Sequence, residues 1–197
     1  PCVQASQQLA TYHFRDGAFD DGVKALATTY KPDQMPSHVM QFLRQPLAEI
    51  AAAPETKAKA EKLADQAIAW FKQAVPADQA APEAKQLARQ CLFSVAETTA
   101  LAHRDEAVPA AYEAIVKAFT TDDEALGKLA SWWKSKQKFD SAREVYRKFA
   151  DKNEGQGQIA HSYREQQNWP LAIETYQQLL GADSERNQYL VGVETGI

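Results

Sequence analysis

A pattern of apolar residues occurs three times in this chain, twice at a thirty-residue step, and a fixed period of that length marks stacked supersecondary units rather than a single irregular core. It runs Leu129-Ala130, Trp133, Phe139, Ala142, Tyr146 and Phe149. Thirty residues further on it reads Ile159-Ala160, Tyr163, Trp169, Ala172, Tyr176 and Leu179. Near the N-terminus the same internal spacings hold for Leu9-Ala10, His13, Phe19, Gly22, Leu26 and Thr29.

The spacings describe two helices. Leu129, Ala130 and Trp133 stand at i, i+1 and i+4, on one stripe of a first helix. Phe139, Ala142, Tyr146 and Phe149 stand at i, i+3, i+7 and i+10, on one stripe of a second. Ala130 and Ala142 are small where two antiparallel helices must approach closely, and the aromatics at 133 and 146 fill the space beside them. The polar segments Lys134 to Lys138, Arg164 to Asn168 and Phe14 to Ala18 are expected to turn the chain. Ala, Gln, Glu, Lys and Leu recur throughout, all strong helix formers. No segment alternates apolar and polar residues long enough for a sheet, so the fold class is all-α.

A small residue late in the first helix, a large one three further on, then an aromatic, a small residue and another aromatic in the second: this arrangement resembles the tetratricopeptide repeat. Segments 123–152 and 153–182 carry the resemblance best, and 3–32 carries it with Gly22 in place of Ala and Thr29 in place of a large apolar residue. The period is shorter than the family's 34 residues. The resemblance implies a right-handed superhelical stack of antiparallel hairpins, an α-solenoid, that binds another protein. It also implies a concave groove lined by the first helices, here Lys128, Ser131, Lys134 and Ser135, then Gln158, His161 and Arg164, able to hold a peptide or a helix. One family subtype grips a C-terminal carboxylate with Lys and Asn. Those positions hold Gly127 and Ser131, then Gly157 and His161, so that clamp is not expected.

The middle of the chain is less regular. Val39 to Ala52 and Ala60 to Val75, broken by Pro54-Glu55-Thr56, read as a divergent hairpin within 37–76, with Ala67, Phe71 and Ala74 on second-helix spacing. Glu83 to Leu101 and Pro109 to Phe119 read as another within 82–120. Helix starts are marked by Asp33 or Ser37, by Asp122 or Asp123, and by Pro82 and Pro109 in first turns. About ten helices in one domain, 1–197, are expected. Residues 183–197, with Tyr189 and Leu190 near the repeat's apolar pair, read as a cap or the start of a further repeat. The chain begins at Pro1, which suggests a processed or excised chain.

A formal net charge of -4 disfavours nucleic-acid and anionic-membrane binding. Lys134, Lys136 and Lys138 beside Trp132 and Trp133 are read as a solvated helix end. No run approaches the ~20 apolar residues of a membrane span. Cys2 and Cys91 are too far apart in sequence for a local metal or redox motif, and Cys91 sits in an apolar run as a core residue. His103-Arg104-Asp105 imitates a kinase loop, but Ala110 stands where an Asn is needed. His38 and His161 lack a second ligand at helical zinc spacing, and His13, at the position held by Trp133 and Tyr163, is read as a packed, hydrogen-bonded histidine. No catalytic, cofactor or metal set is therefore expected. The leading expectation is a non-catalytic scaffold for another protein. A structural segment assembling through repeat ends is the alternative, and a helical enzyme or small-molecule receptor the third. The compartment stays open between cytoplasm, periplasm and secretion, and the Ala- and Gln-rich acidic composition has a bacterial cast.

Overall fold

The computed structural model describes residues 2–120 and 122–182. Among the described residues the chain is all-helical, with ten α-helices, one 3-10 turn and no strand. The helices are α1 (Val3–Asp16), α2 (Phe19–Ala27), α3 (Met35–Ala52), α4 (Lys57–Gln73) and α5 (Pro82–Leu101), then α6 (Val108–Ala118), α7 (Asp123–Ser135), α8 (Phe139–Tyr146), α9 (Lys152–Glu165) and α10 (Trp169–Ala182). The 3-10 turn, Pro54–Thr56, separates α3 from α4. The chain divides into two compact units, Pro1–Ile115 and Val116–Ile197.

In the first unit α1 pairs with α2 and α3 with α4, while α3 also packs on both α1 and α5. Because α2 meets α4, the odd-numbered helices form one layer and the even-numbered ones a second. In the second unit α7 pairs with α8, α8 with α9 and α9 with α10. Apolar residues at helical spacing make these layers. Val39, Met40, Leu43, Leu47 and Ile50 are all buried along α3, which continues through Pro46.

One turn recurs. Among the described residues only Gly17, His103, Gln137 and Gln167 have left-handed backbone, with φ of 80°, 54°, 60° and 58°. Each donates its N–H to the carbonyl three residues back, and the next residue donates to the carbonyl five back, all at 2.9–3.1 Å. This is the Schellman closure, which satisfies the last carbonyls of a helix. Ala18 (φ −91°, ψ 73°) and Lys138 (φ −94°, ψ 66°) then enter the next helix in nearly the same conformation. The turn needs little more than the left-handed residue and its successor. The helices therefore run on to Asp16, Ser135 and Glu165, and the five-residue polar turns expected from the sequence are corrected to shorter ones. The same closure at His103 ends α5, so the α5–α6 connection starts as the three periodic hairpins do.

Both irregular positions of the 3–32 segment are compensated. Phe14 occupies the register held elsewhere by Lys134 and Arg164, and it is fully buried. A Cβ built on Gly22 would stand 2.4 Å from Phe14 Cε1, so the ring takes the room that an Ala would need. Thr29 hydrogen-bonds Ser6 through their hydroxyls at 2.8 Å, a polar pair where the 123–152 segment has Leu126 and Phe149.

Several helix ends differ from the expectation. α3 starts at Met35, with Gln34 at the cap position and Pro36 in the first turn, so neither Asp33 nor Ser37 caps it. α4 begins at Lys57 and ends at Gln73. Asp122 caps α7 by accepting the Ala125 N–H at 3.0 Å. Asp123 reaches across instead and accepts the N–H groups of Ala150 and Asp151 at 2.8 and 3.0 Å. Tyr189 and Leu190 lie outside the described residues.

Gly22→Ala is expected to destabilise the chain by about 1–3 kcal/mol through overpacking against Phe14. Gly127→Ala, whose Cβ would meet only Phe149 Cζ at 3.7 Å, should stabilise it by up to about 1 kcal/mol. Urea unfolding midpoints of the two variants check both signs, and Phe14→Leu added to Gly22→Ala should recover part of the loss.

Candidate functional site

The groove residues expected on the first helices fall on α7 and α9, and part of them form a connected cluster. Lys134 Nζ lies 2.6 and 2.8 Å from the two Glu165 carboxylate oxygens, which joins α7 to α9. His161 Nε2 lies 3.0 Å from Glu165 Oε1, and Arg164 Nη2 lies 2.9 Å from His161 Nδ1. A guanidinium only donates, so Nδ1 is the acceptor and Nε2 carries the proton given to Glu165. Neutral His161 thus satisfies both neighbours.

The other candidates go elsewhere. Gln158 donates to Glu154 Oε1 at 2.7 Å, and Ser135 donates to the Trp132 carbonyl at 2.7 Å. Ser131 is exposed on α7. Burial pushes the Tyr146 phenol up, the Glu165 carboxylate adds to that, and Ser131 acts the other way. Lys128 is exposed on α7. The hub of the cluster, Glu165, was read from the sequence as part of a turn. Its only sequence signal is its place four residues after His161, on the same helical stripe.

Arg143 is a second residue that periodicity did not reveal. It belongs to α8, is 6% exposed, and reaches α9. Its guanidinium donates to Ser162 Oγ at 3.2 Å, Gln166 Oε1 at 2.6 Å and Asp140 Oδ1 at 2.6 Å. It also lies 4.2 Å from the Tyr163 ring centroid. A buried charge requires this degree of partnering. The register equivalents of Arg143 are Val23 and Ile173, so the repeat pattern predicts an apolar residue there.

Ion pairs link odd-numbered helices in the first unit as well. Arg15 Nε lies 3.1 Å from Glu49 Oε2 between α1 and α3. Arg44 Nε lies 2.5 Å from Glu97 Oε1 between α3 and α5, and the guanidinium pKa is raised by that bond. Gln45 donates to Glu49, and this bond, ahead of Arg15, holds the Glu49 carboxyl below its usual range. The sequence offered no register for α3 and α5, and Arg15 fell in an expected turn, so none of these residues was singled out.

The first unit also contains an open pocket of about 580 Å³. Val23, Met35, Trp70 and Leu87 line it, with Tyr30 and Asp33 among its polar residues. The kinase-like triplet has a structural use: Arg104 bonds Asp65 Oδ1 at 2.7 Å and the Glu61 carbonyl at 2.9 Å, pinning the end of α5 to α4. Among the described residues no group of three or more His, Cys, Asp or Glu is placed to hold a metal, and no helix is long and apolar enough to cross a membrane. Neither the protein-family models nor the curated proteins contain a match to the chain.

Arg143→Ala should destabilise the second unit by about 2–4 kcal/mol, because its stacking and three polar bonds go together. Arg143→Lys should recover little, since an ammonium lacks the fork; thermal unfolding checks both. A second expectation concerns Cys91, which is buried and free while Cys2 is exposed. Burial pushes the Cys91 thiol up to about 11 from 9.0, and burial together with Glu97 pushes Tyr112 to about 12 from 10.0. The folded state then holds protons that the unfolded state releases, so stability falls as pH rises through 9–11 and 10–12 respectively. Cys91→Ala should flatten the fall of the unfolding midpoint between pH 9 and 11 and leave the Tyr112 part.

Proposed function

We propose that the chain is a non-catalytic, tetratricopeptide-like scaffold whose helices α7 and α9 present a polar face to a peptide or helix of a partner protein. The observation that carries the reading is the Lys134–Glu165–His161 bridge, because it makes the faces of α7 and α9 one surface spanning two hairpins. A ligand lying across that surface meets both repeats at once. The pairing of successive helices within each unit, and the shared Schellman turn, support reading each unit as a short stack of hairpins of that family's kind.

The chemistry of the face suggests an acidic or carboxylate-bearing segment. Three cations, Lys128, Lys134 and Arg164, stand there with three carboxylates, Glu124, Glu154 and Glu165, and two of the cations, Lys134 and Arg164, gather at the C-terminal ends of α7 and α9. A ligand carboxylate would compete with Glu165 for Lys134, exchanging one exposed ion pair for another at little cost, and would find Arg164 beside it, held by His161. The apolar pocket of the first unit supports a receptor reading less well. Its polar groups do not converge: Asp33 is exposed, and the Tyr30 hydroxyl already accepts from Gln7.

Selection of random twelve-residue peptides on the immobilised chain, followed by titration of the enriched sequences, tests this reading. Enriched peptides should carry Asp or Glu, and His161→Glu with Arg164→Glu should weaken their binding at least tenfold. Enrichment of basic or purely apolar peptides, or binding indifferent to the double substitution, would remove the groove from consideration.

A further inference from the structure

The pocket of the first unit is built from α2, α3, α4, α5 and the α2–α3 connection, and each of these elements is flanked on both sides by described chain. Its volume of about 580 Å³ is in the range of cavities that take small organic molecules. The walls are mostly apolar, with Val23, Met35, Pro36, Trp70 and Leu87 among them. Two rings in the wall, Tyr30 and Trp70, are already fixed by neighbours. Tyr30 stacks on His38 with ring centroids 3.6 Å apart, and its hydroxyl is bonded to Gln7. Trp70 meets Phe19 and Phe71 edge-on at 6.2 and 5.3 Å. Rings held in this way lose little freedom when a ligand settles on them.

The charge of the wall has one sign. Asp33 is the one charged residue lining the pocket, and among the described residues it has no ion-pair partner. Two helices also end there, α2 at Ala27 and α4 at Gln73, and a helix C-terminus carries partial negative charge. The start of α3 at Met35 opposes only one of these ends, and Pro36 in its first turn brings no N–H to donate. Gln73 and the already bonded Tyr30 hydroxyl are too few to hold a molecule rich in hydroxyls or phosphates. Apolar contact, two aromatic faces and a negative field together select a cation carried on an apolar body.

We infer that this pocket binds a small hydrophobic ammonium ion, an amine protonated at neutral pH or a quaternary ammonium. The apolar body packs against Trp70, Met35 and Leu87, and the cation stays near Asp33 and the rings. A carboxylate on the same body would meet Asp33 and the two helix C-termini as like charge. The inference is independent of the polar groove, since it uses no residue of α7 or α9.

Nuclear magnetic resonance titration of the nitrogen-15-labelled full chain with tryptamine, tryptophol and indolepropionate tests it. The three probes share a ring and a linker and differ in the charge at its end. The readout is the indole N–H resonance of Trp70, assigned with Trp70→Phe. Tryptamine should move it with a dissociation constant of about 1 mM or below. Because the cation gains only a surface ion pair and ring contacts, its advantage over neutral tryptophol should be about fivefold. Indolepropionate should bind more weakly than both. Asp33→Asn, at an exposed position that caps no helix, should bring tryptamine down to the affinity of tryptophol. Indolepropionate binding as tightly as tryptamine would overturn the inference, as would a charge preference unchanged in Asp33→Asn. So would a Trp70 resonance that none of the three probes moves at about 10 mM.

Discussion

Reversing a helix within two or three residues, so that the next helix lies back along the first, is the constraint on which the three periodic hairpins depend. One left-handed residue does this at Gly17, Gln137 and Gln167, and His103 closes α5 with the same pair of backbone hydrogen bonds. Only the first is a glycine. The other three hold a Cβ in a backbone region that costs roughly 1 kcal/mol, a strain the surrounding packing must over-determine. The tight turn leaves small room where the two helices meet, hence the buried Ala10, Ala130, Ala142, Ala160 and Ala172. Where a bulky Phe14 enters the same space, the facing residue has shrunk to Gly22.

Periodicity made the outer hairpins legible because their burial repeats: the residues of the thirty-residue pattern are mostly core residues, and core residues announce themselves by spacing. It failed where burial is achieved by an exchange between two positions. Gly22 and Thr29 look like defects one at a time, and only their partners Phe14 and Ser6 show that nothing is missing. The α5–α6 connection was hidden for another reason. Its defining element is a backbone angle at His103, and histidine has no particular claim on left-handed backbone. Of the candidate groove, Lys134, His161 and Arg164 were readable from their outward positions. Glu165, which joins them, was not, because helix α9 runs further into the supposed turn than polar composition suggests.

The charged residues of the odd-numbered helices do more than cover the surface. Arg15–Glu49, Arg44–Glu97 and Lys134–Glu165 each cross from one such helix to its neighbour. Exposed pairs of this kind add little to stability. They join side chains of neighbouring helices within each unit and leave those faces polar. A face already arranged in this way loses less side-chain entropy when something settles on it.

Arg143 has one more consequence. At its position the other two repeats carry Val23 and Ile173, so the packing between α8 and α9 asks for a partner that none of the other hairpins offers. A chain of identical repeats has many near-equivalent ways to pair with itself and can fold out of order or trade hairpins with a neighbour. A single desolvated cation, satisfied only by Ser162, Gln166, Asp140 and the face of Tyr163, gives one junction an address. Hairpins shuffled by recombination would arrive there without it, and the wrong pairing would strand a charge in the core.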